Sequence, residues 1–127
     1  MICKGVGLMS AKIYIYNLPM PPSVNQLWKT GNARMYRSKK YIEWIAECEG
    51  MLADRERPRI DYPFAIQIAV GRPSKRRMDI DNRVKAVMDI LERAEIITDD
   101  CLCWHLTVYW DEEVSGCRVT VSKAATH

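Results

Sequence analysis

The sequence predicts a single α/β domain of the α+β kind, a small mixed sheet carrying two helices in the order β-loop-α-β-α-β-β. Three observations predict it. Two segments place apolar residues at helical spacing, four short segments read as strands, and nothing in the 127 residues divides the chain: there is no internal repeat, low-complexity tract or long linker. We read residues 1 to 11 as a flexible extension ahead of a domain spanning 12 to 127.

The elements follow in order. Lys12 to Leu18 (KIYIYNL) alternates Ile with Tyr and stops at Pro19, so it reads as a strand. Pro19, Pro21 and Pro22 stiffen the next stretch, which leads into KTGNARMYRSKK, read as a basic, Gly-containing structured loop. From Ser38, a plausible N-cap, the residues Tyr41, Ile45, Cys48 and Leu52 fall on helical spacing and predict a helix to about Ala53. Pro58 and Pro63 break that pattern, and Phe64 to Val70 (FAIQIAV) reads as a largely buried strand. Arg83 to Ala94 is helical again, with Val84, Val87, Met88 and Leu91 as its apolar stripe. Ile96 to Asp100 then steps into an acidic turn, and Leu102 to Trp110 and Cys117 to Ser122 form two strands joined by DEEVSG.

Composition narrows the class. The chain is 48% apolar and 28% charged, enough to bury a core. No run approaches the ~20 apolar residues of a spanning helix, and no leader pattern stands at the amino terminus, so we expect a cytoplasmic protein that makes no use of a membrane. Five cysteines, Cys3, Cys48, Cys101, Cys103 and Cys117, are an odd number without an export signal and read as reduced, mostly buried thiols.

Net charge is only +3, yet the signs are segregated. Residues 1 to 42 hold Lys4, Lys12, Lys29, Arg34, Arg37, Lys39 and Lys40 and no acid, while all sixteen acids lie beyond them. Such asymmetry implies a polyanion-facing surface beside a region that concentrates carboxylates.

Those regions meet in GRPSKRRMDIDNRVKAVMD. Four basic residues, Arg72, Lys75, Arg76 and Arg77, give way to Asp79 and Asp81 just before the second helix. An extended Met78 to Asp81 would turn both aspartates to one side, and Asp81 stands four residues before Lys85, one helical turn away. Asp99 and Asp100 follow the helix, where the chain returns toward the helix start if it adds a neighbouring strand. Carboxylates about 4 Å apart repel by about 1 kcal/mol even in water. A cation relieves that, and all-oxygen ligands suit Mg²⁺ or Mn²⁺. Metal at phosphorus activates water for phosphodiester hydrolysis, Lys85 beside the scissile phosphate adds a fixed positive donor, and Arg72 to Arg77 hold flanking phosphates. The plain alternative is that Asp before a helix caps it and Asp-Asp in a turn is solvated.

These residues resemble the RusA family of Holliday junction resolvases. YNLPMPPSVNQLW (Tyr16 to Trp28) resembles the family's first strand and Pro-rich, Asn-containing loop; the basic run into Asp79-Ile80-Asp81-Asn82, with Lys85 behind it, resembles its most specific motif; and Ile96 to Asp100 resembles its closing acidic turn. The resemblance implies metal-binding catalytic aspartates at Asp79, Asp81 and Asp100, a catalytic lysine at Lys85, and the motif's Asn at Asn82. Asp99 matches the acidic neighbour of Asp100 and is an alternative to it. The resemblance further implies a homodimer that cuts four-way junction DNA with paired symmetric nicks. From the charge pattern, Lys29, Arg34, Arg37, Lys39, Lys40 and the Arg72, Lys75, Arg76 and Arg77 run are expected to grip the DNA arms. The extension to Ser10, Met78 within the basic run and the charged DRERPRIDYP depart from the pattern.

Other readings compete. A protein on the same scaffold that binds structured DNA without cutting it would gain nothing from three carboxylates facing phosphates. An interaction module whose acidic and basic surfaces pair in a dimer is the blander option. Cys101, Cys103 and His105 alternate and imitate a zinc site, but without a CxxC pair they read as core packing. Trp28 and Tyr36 suit base stacking, whereas Trp44, Trp104 and Trp110 are expected in the core.

Overall fold

The computed structural model describes residues 12–23, 28–31, 34–72 and 79–125. The elements are β1 (Ile13–Leu18), β2 (Trp28–Gly31), β3 (Arg34–Arg37), α1 (Lys39–Leu52), β4 (Phe64–Val70), α2 (Val84–Arg93), β5 (Cys103–Trp110) and β6 (Cys117–Lys123). Four strands form a mixed sheet in the order β1-β6-β4-β5, in which β6 is antiparallel to both β1 and β4, and β5 runs parallel to β4. A parallel pair needs a crossover connection, and α2 is that crossover.

Alternation along the strands decides which sheet face is packed. Tyr16 and Leu18 of β1, Phe64, Ile66, Ile68 and Val70 of β4, and Cys117, Val119 and Val121 of β6 are buried in one cluster. The same cluster takes in Tyr41, Trp44, Ile45, Cys48 and Leu52 from α1 and Ala86, Val87, Ile90 and Leu91 from α2. These helix positions recur every three to four residues, so each helix presents one apolar stripe to the sheet. The opposite sheet face is open, with Ile13 and Ile15 exposed.

The mixed sheet, both helices and all four of its strands match the sequence expectation to within a residue or two. The KTGNARMYRSKK segment does not. It contains an antiparallel hairpin, with Trp28 opposite Arg37 and Gly31 opposite Arg34, in a two-stranded sheet of its own. Only positions 32 and 33 separate the paired ends, and two-residue connections favour hairpins. The Gly-Asn pair was the signal, and the basic composition obscured it.

Two expected core residues are elsewhere. Trp104 is 58% exposed, because it is the extra residue where the β4–β5 register shifts between Phe64 and Ala65. Trp110 is only partly buried against the core, while Trp44 is fully within it. The thiols divide as well: Cys48 and Cys117 are buried, Cys103 is intermediate, Cys101 is exposed, and all four are free. Cys3 and the rest of the 1 to 11 extension lie outside the described residues.

Candidate active site

The site is assembled where α2 begins and where the chain returns from it. After β4, the Gly71 N–H donates to the Gly116 carbonyl at 2.7 Å, and a Cβ on Gly71 would collide with the Val114 carbonyl, so the two loops approach as closely as backbone allows. The chain resumes at Asp79, which is exposed. Ile80 already has helical dihedrals (φ −74°, ψ −36°), and Asp81–Arg83 is a single 3₁₀ turn leading into α2. The extended geometry that would align Asp79 with Asp81 is therefore absent, because a 3₁₀ turn precedes α2 and Ile80 is already helical in its dihedrals.

On α2, Lys85, Asp89 and Glu92 occupy i, i+4 and i+7, one polar stripe beside the apolar one. The returning segment is fixed against DRERPRIDYP by three backbone bonds. The N–H groups of Arg59 and Ile60 donate to Glu95 and Ile96 carbonyls at 3.1 and 2.9 Å, and the Thr98 N–H donates to the Ile60 carbonyl at 3.0 Å. Ile60, Ile96 and Ile97 are buried beneath, so the acidic turn that follows has an anchored base.

In that turn the two aspartates have different duties. Asp99 Oδ1 accepts the Cys101 N–H at 2.9 Å, capping the 3₁₀ turn Asp100–Leu102, and this bond holds its carboxyl below the usual range. The Asp100 carboxylate is not spent on the cap. Its N–H donates to Glu92 Oε1 at 3.2 Å, tying the turn to α2. Ligand oxygens of Glu92, Asp99 and Asp100 lie within 4.8 Å of one another, the one such group among the described residues. Asp79 and Asp81 stand outside that trio. An all-oxygen donor set of this kind fits a hard divalent cation such as Mg²⁺ or Mn²⁺ and does not fit a thiophilic one.

Lys85 is paired within the stripe. Its Nζ lies 3.2 Å from Asp89 Oδ1. That bond raises its pKa above the ordinary value, and the carboxylates of Asp100 and Glu92 add to the rise. An ammonium so placed stays protonated at neutral pH. Asp89 in turn accepts a hydrogen bond on Oδ2 from the Tyr41 hydroxyl of α1, at 3.3 Å.

The basic residues surround this centre to different degrees. Arg37, whose guanidinium lies 5.9 Å from the Tyr41 ring centroid, borders a groove of about 290 Å³ shared with Asp89, Glu92 and Arg93. Lys39 and Lys40 are exposed at the start of α1. Arg72 is exposed, 5.8 Å from the Trp110 ring centroid. Asn82 is half-buried in the 3₁₀ turn. Lys29 and Arg34 belong to the β2–β3 hairpin, as do Trp28 and Tyr36, while Lys75, Arg76 and Arg77 lie outside the described residues. The Pro-rich segment is docked on both helices: Trp44 Nε1 donates to the Pro19 carbonyl at 3.1 Å and an Arg83 terminal nitrogen donates to the Pro21 carbonyl at 2.8 Å.

Sequence reasoning missed Asp89 and Glu92. Their signal was available as the i+4 and i+7 positions from Lys85, but a polar helix stripe reads as solvated until something packs over it. The Cys101, Cys103 and His105 alternation dissolves, since Cys101 belongs to the turn and only the other two are in β5.

Comparison with known proteins places the chain in a family. The family description "Endodeoxyribonuclease RusA" matches residues 19–122, a span that contains the Pro-rich segment, α2 and the acidic turn. A crossover junction endodeoxyribonuclease RusA of Aquifex aeolicus is 27% identical over 96 residues, covering 75% of each chain. The crossover junction endodeoxyribonuclease rusA of Enterobacteria phage HK97 is 27% identical over 109 residues, 85% of this chain and 91% of that protein. That of Enterobacteria phage 82 is 32% identical over 91 residues, 68% and 73% respectively. With a Pro-braced helix start, a lysine one turn on and an acidic turn folded back to meet it, all inside the matched span, the chain belongs to the RusA endodeoxyribonuclease family.

Proposed function

We propose that this protein is a metal-dependent endodeoxyribonuclease that resolves four-way DNA junctions, as a homodimer, by paired symmetric phosphodiester hydrolysis. One observation carries the reading: the Asp99–Asp100 turn folds back onto the Lys85 face of α2, so that cation and carboxylates share one small surface. Asp79, Asp81 and Asp100 would hold Mg²⁺ or Mn²⁺, with Glu92 and Asp99 beside Asp100. When bound, such an ion lowers the pKa of water and offsets charge on the departing oxygen.

The chain's own residues do the rest. The Lys85 ammonium donates to a non-bridging oxygen of the scissile phosphate and steadies charge as it develops. Water oxygen bonds to phosphorus while one bridging P–O bond breaks, and the water's proton ends on the freed hydroxyl. Arg37, Lys39 and Lys40 at the start of α1, with Arg72, Lys75, Arg76 and Arg77 before the aspartates, would hold flanking phosphates, and Lys29, Arg34 and Asn82 extend that grip.

Strand β5 supports the dimer. It is a sheet edge, and Leu106, opposite Ile66 on the helix-bearing side, is still 49% exposed. An apolar edge strand of this kind calls for cover. Among the described residues no helix is long and apolar enough to cross a membrane, and the free thiols suit the reducing cytoplasm, where we place the activity.

The test is a synthetic four-way junction incubated with and without Mg²⁺. Paired symmetric incisions that require the ion are expected. Asp81→Asn and Asp100→Asn should each slow cutting by at least ~100-fold while junction binding persists or tightens, because each removes a ligand and a repulsion together. Tight binding by the unaltered protein with no cutting under any divalent ion would instead make it a structured-DNA binder.

A further inference from the structure

We propose that Asp89 is a positioning residue for Lys85, held in place across the helix interface by Tyr41, so that a Tyr41–Asp89–Lys85 relay sets where the ammonium meets the phosphate. The inference rests on the reading that Lys85 contacts the scissile phosphate. Three facts carry it. Asp89 uses its two oxygens separately, Oδ1 toward Lys85 Nζ at 3.2 Å and Oδ2 toward the Tyr41 hydroxyl at 3.3 Å. Tyr41 is itself immobilised: it is buried in the core, stacks on Trp44 with ring centroids 6.4 Å apart, and stands in the first turn of the helix whose N-cap, Ser38, accepts its N–H on the hydroxyl oxygen at 3.1 Å. Lys85, by contrast, is a long exposed side chain with several rotatable bonds, and on its own would sample many positions.

The relay therefore transfers rigidity from a core aromatic to a surface cation. An i, i+4 ion pair on an exposed helix face adds little to stability. One whose acidic partner is oriented from a second helix selects a rotamer for the lysine, which is what phosphate contact in a fixed geometry needs. Asp89 touches neither substrate nor ion in this scheme and acts only through Lys85.

The experiment measures single-turnover cleavage of a synthetic four-way junction in Mg²⁺, junction binding without Mg²⁺, and thermal stability, for Asp89→Asn, Tyr41→Phe, the pair, and each with Lys85→Ala. Asp89→Asn should cut about tenfold more slowly and Tyr41→Phe about threefold, with binding and melting temperature unchanged. The double variant should be no slower than Asp89→Asn, and in the Lys85→Ala background neither should cost anything further. Wild-type cutting by Asp89→Asn, or losses that multiply in the double variant, would overturn the relay. Wild-type cutting by Lys85→Ala would instead remove the lysine from the proposed function, a separate failure that the same series identifies.

Discussion

Cys117 pairs with Leu18 in the β1–β6 register and Tyr16 lies two residues along β1, and both side chains are buried in the one core, the Tyr16 hydroxyl donating to the Glu56 carbonyl at 2.9 Å. Burial pushes the Cys117 thiol from 9.0 up to about 12 and the Tyr16 phenol from 10.0 up to about 12, the latter despite the Arg55 guanidinium nearby, which pulls the other way. A raised value in the folded state means that stability is whole below the unfolded value and declines as pH climbs toward the folded one. Stability should hold to about pH 9, then fall to pH 12, with Tyr16 accounting for a loss on the order of 2 kcal/mol at the upper end. Urea midpoints across that range check this, and Tyr16→Phe should flatten the upper part of the curve; a flat profile for the unaltered protein would contradict it. At this same scale the site was half legible. Spacing related Asp81 to Lys85, but Asp81 lies in the 3₁₀ turn ahead of α2 and the ion partner of Lys85 is Asp89, four residues on rather than four before. The separate duties of Asp99 and Asp100 were not legible, because they depend on which of them meets the Cys101 amide and which is tied back to Glu92.

Among the elements, α1 begins as its residues dictate. Ser38 is buried, its extended backbone and its hydroxyl both serve the cap, and Lys39 to Leu52 follow without a helix breaker other than Gly50. Ser38→Ala should cost about 1 kcal/mol of global stability. It should also slow cleavage modestly, since Tyr41, whose amide that hydroxyl holds, orients Asp89. Chemical denaturation beside cleavage rates tests both, and an unchanged midpoint would show that the cap is dispensable. The β2–β3 hairpin and the 3₁₀ turn ahead of α2 were the element-scale surprises. Each is decided by a few residues whose composition points another way: basic side chains masked the hairpin, and Asp79 and Asp81 read as extended until Ile80 proved helical.

For the whole molecule, the proposed homodimer draws on β5. Among the described residues its outer edge is unpaired, and its Leu106 and Trp104 are exposed. Leu106→Glu should turn a dimer into a monomer of unchanged fold, read by sedimentation, and should replace paired incisions with slow, unpaired nicks. A dimer that survives Leu106→Glu would move the interface elsewhere.

The sequence by itself determined both helices and the four strands of the mixed sheet, and its spacing singled out Asp79, Asp81, Lys85 and the Asp99–Asp100 pair as the residues worth placing, because periodicity and spacing act over a few residues and need no distant partner; the choice of Asp100 within that pair came from the family resemblance. Only the tertiary structure decided the company they keep. The crossover through α2 and the bonds from Ile60 to the Ile96–Thr98 segment bring Asp100 against Glu92 and bring Tyr41 to Asp89. Those contacts join positions far apart in sequence, and the free energy that fixes them comes from burying one shared apolar core, a quantity no local pattern contains.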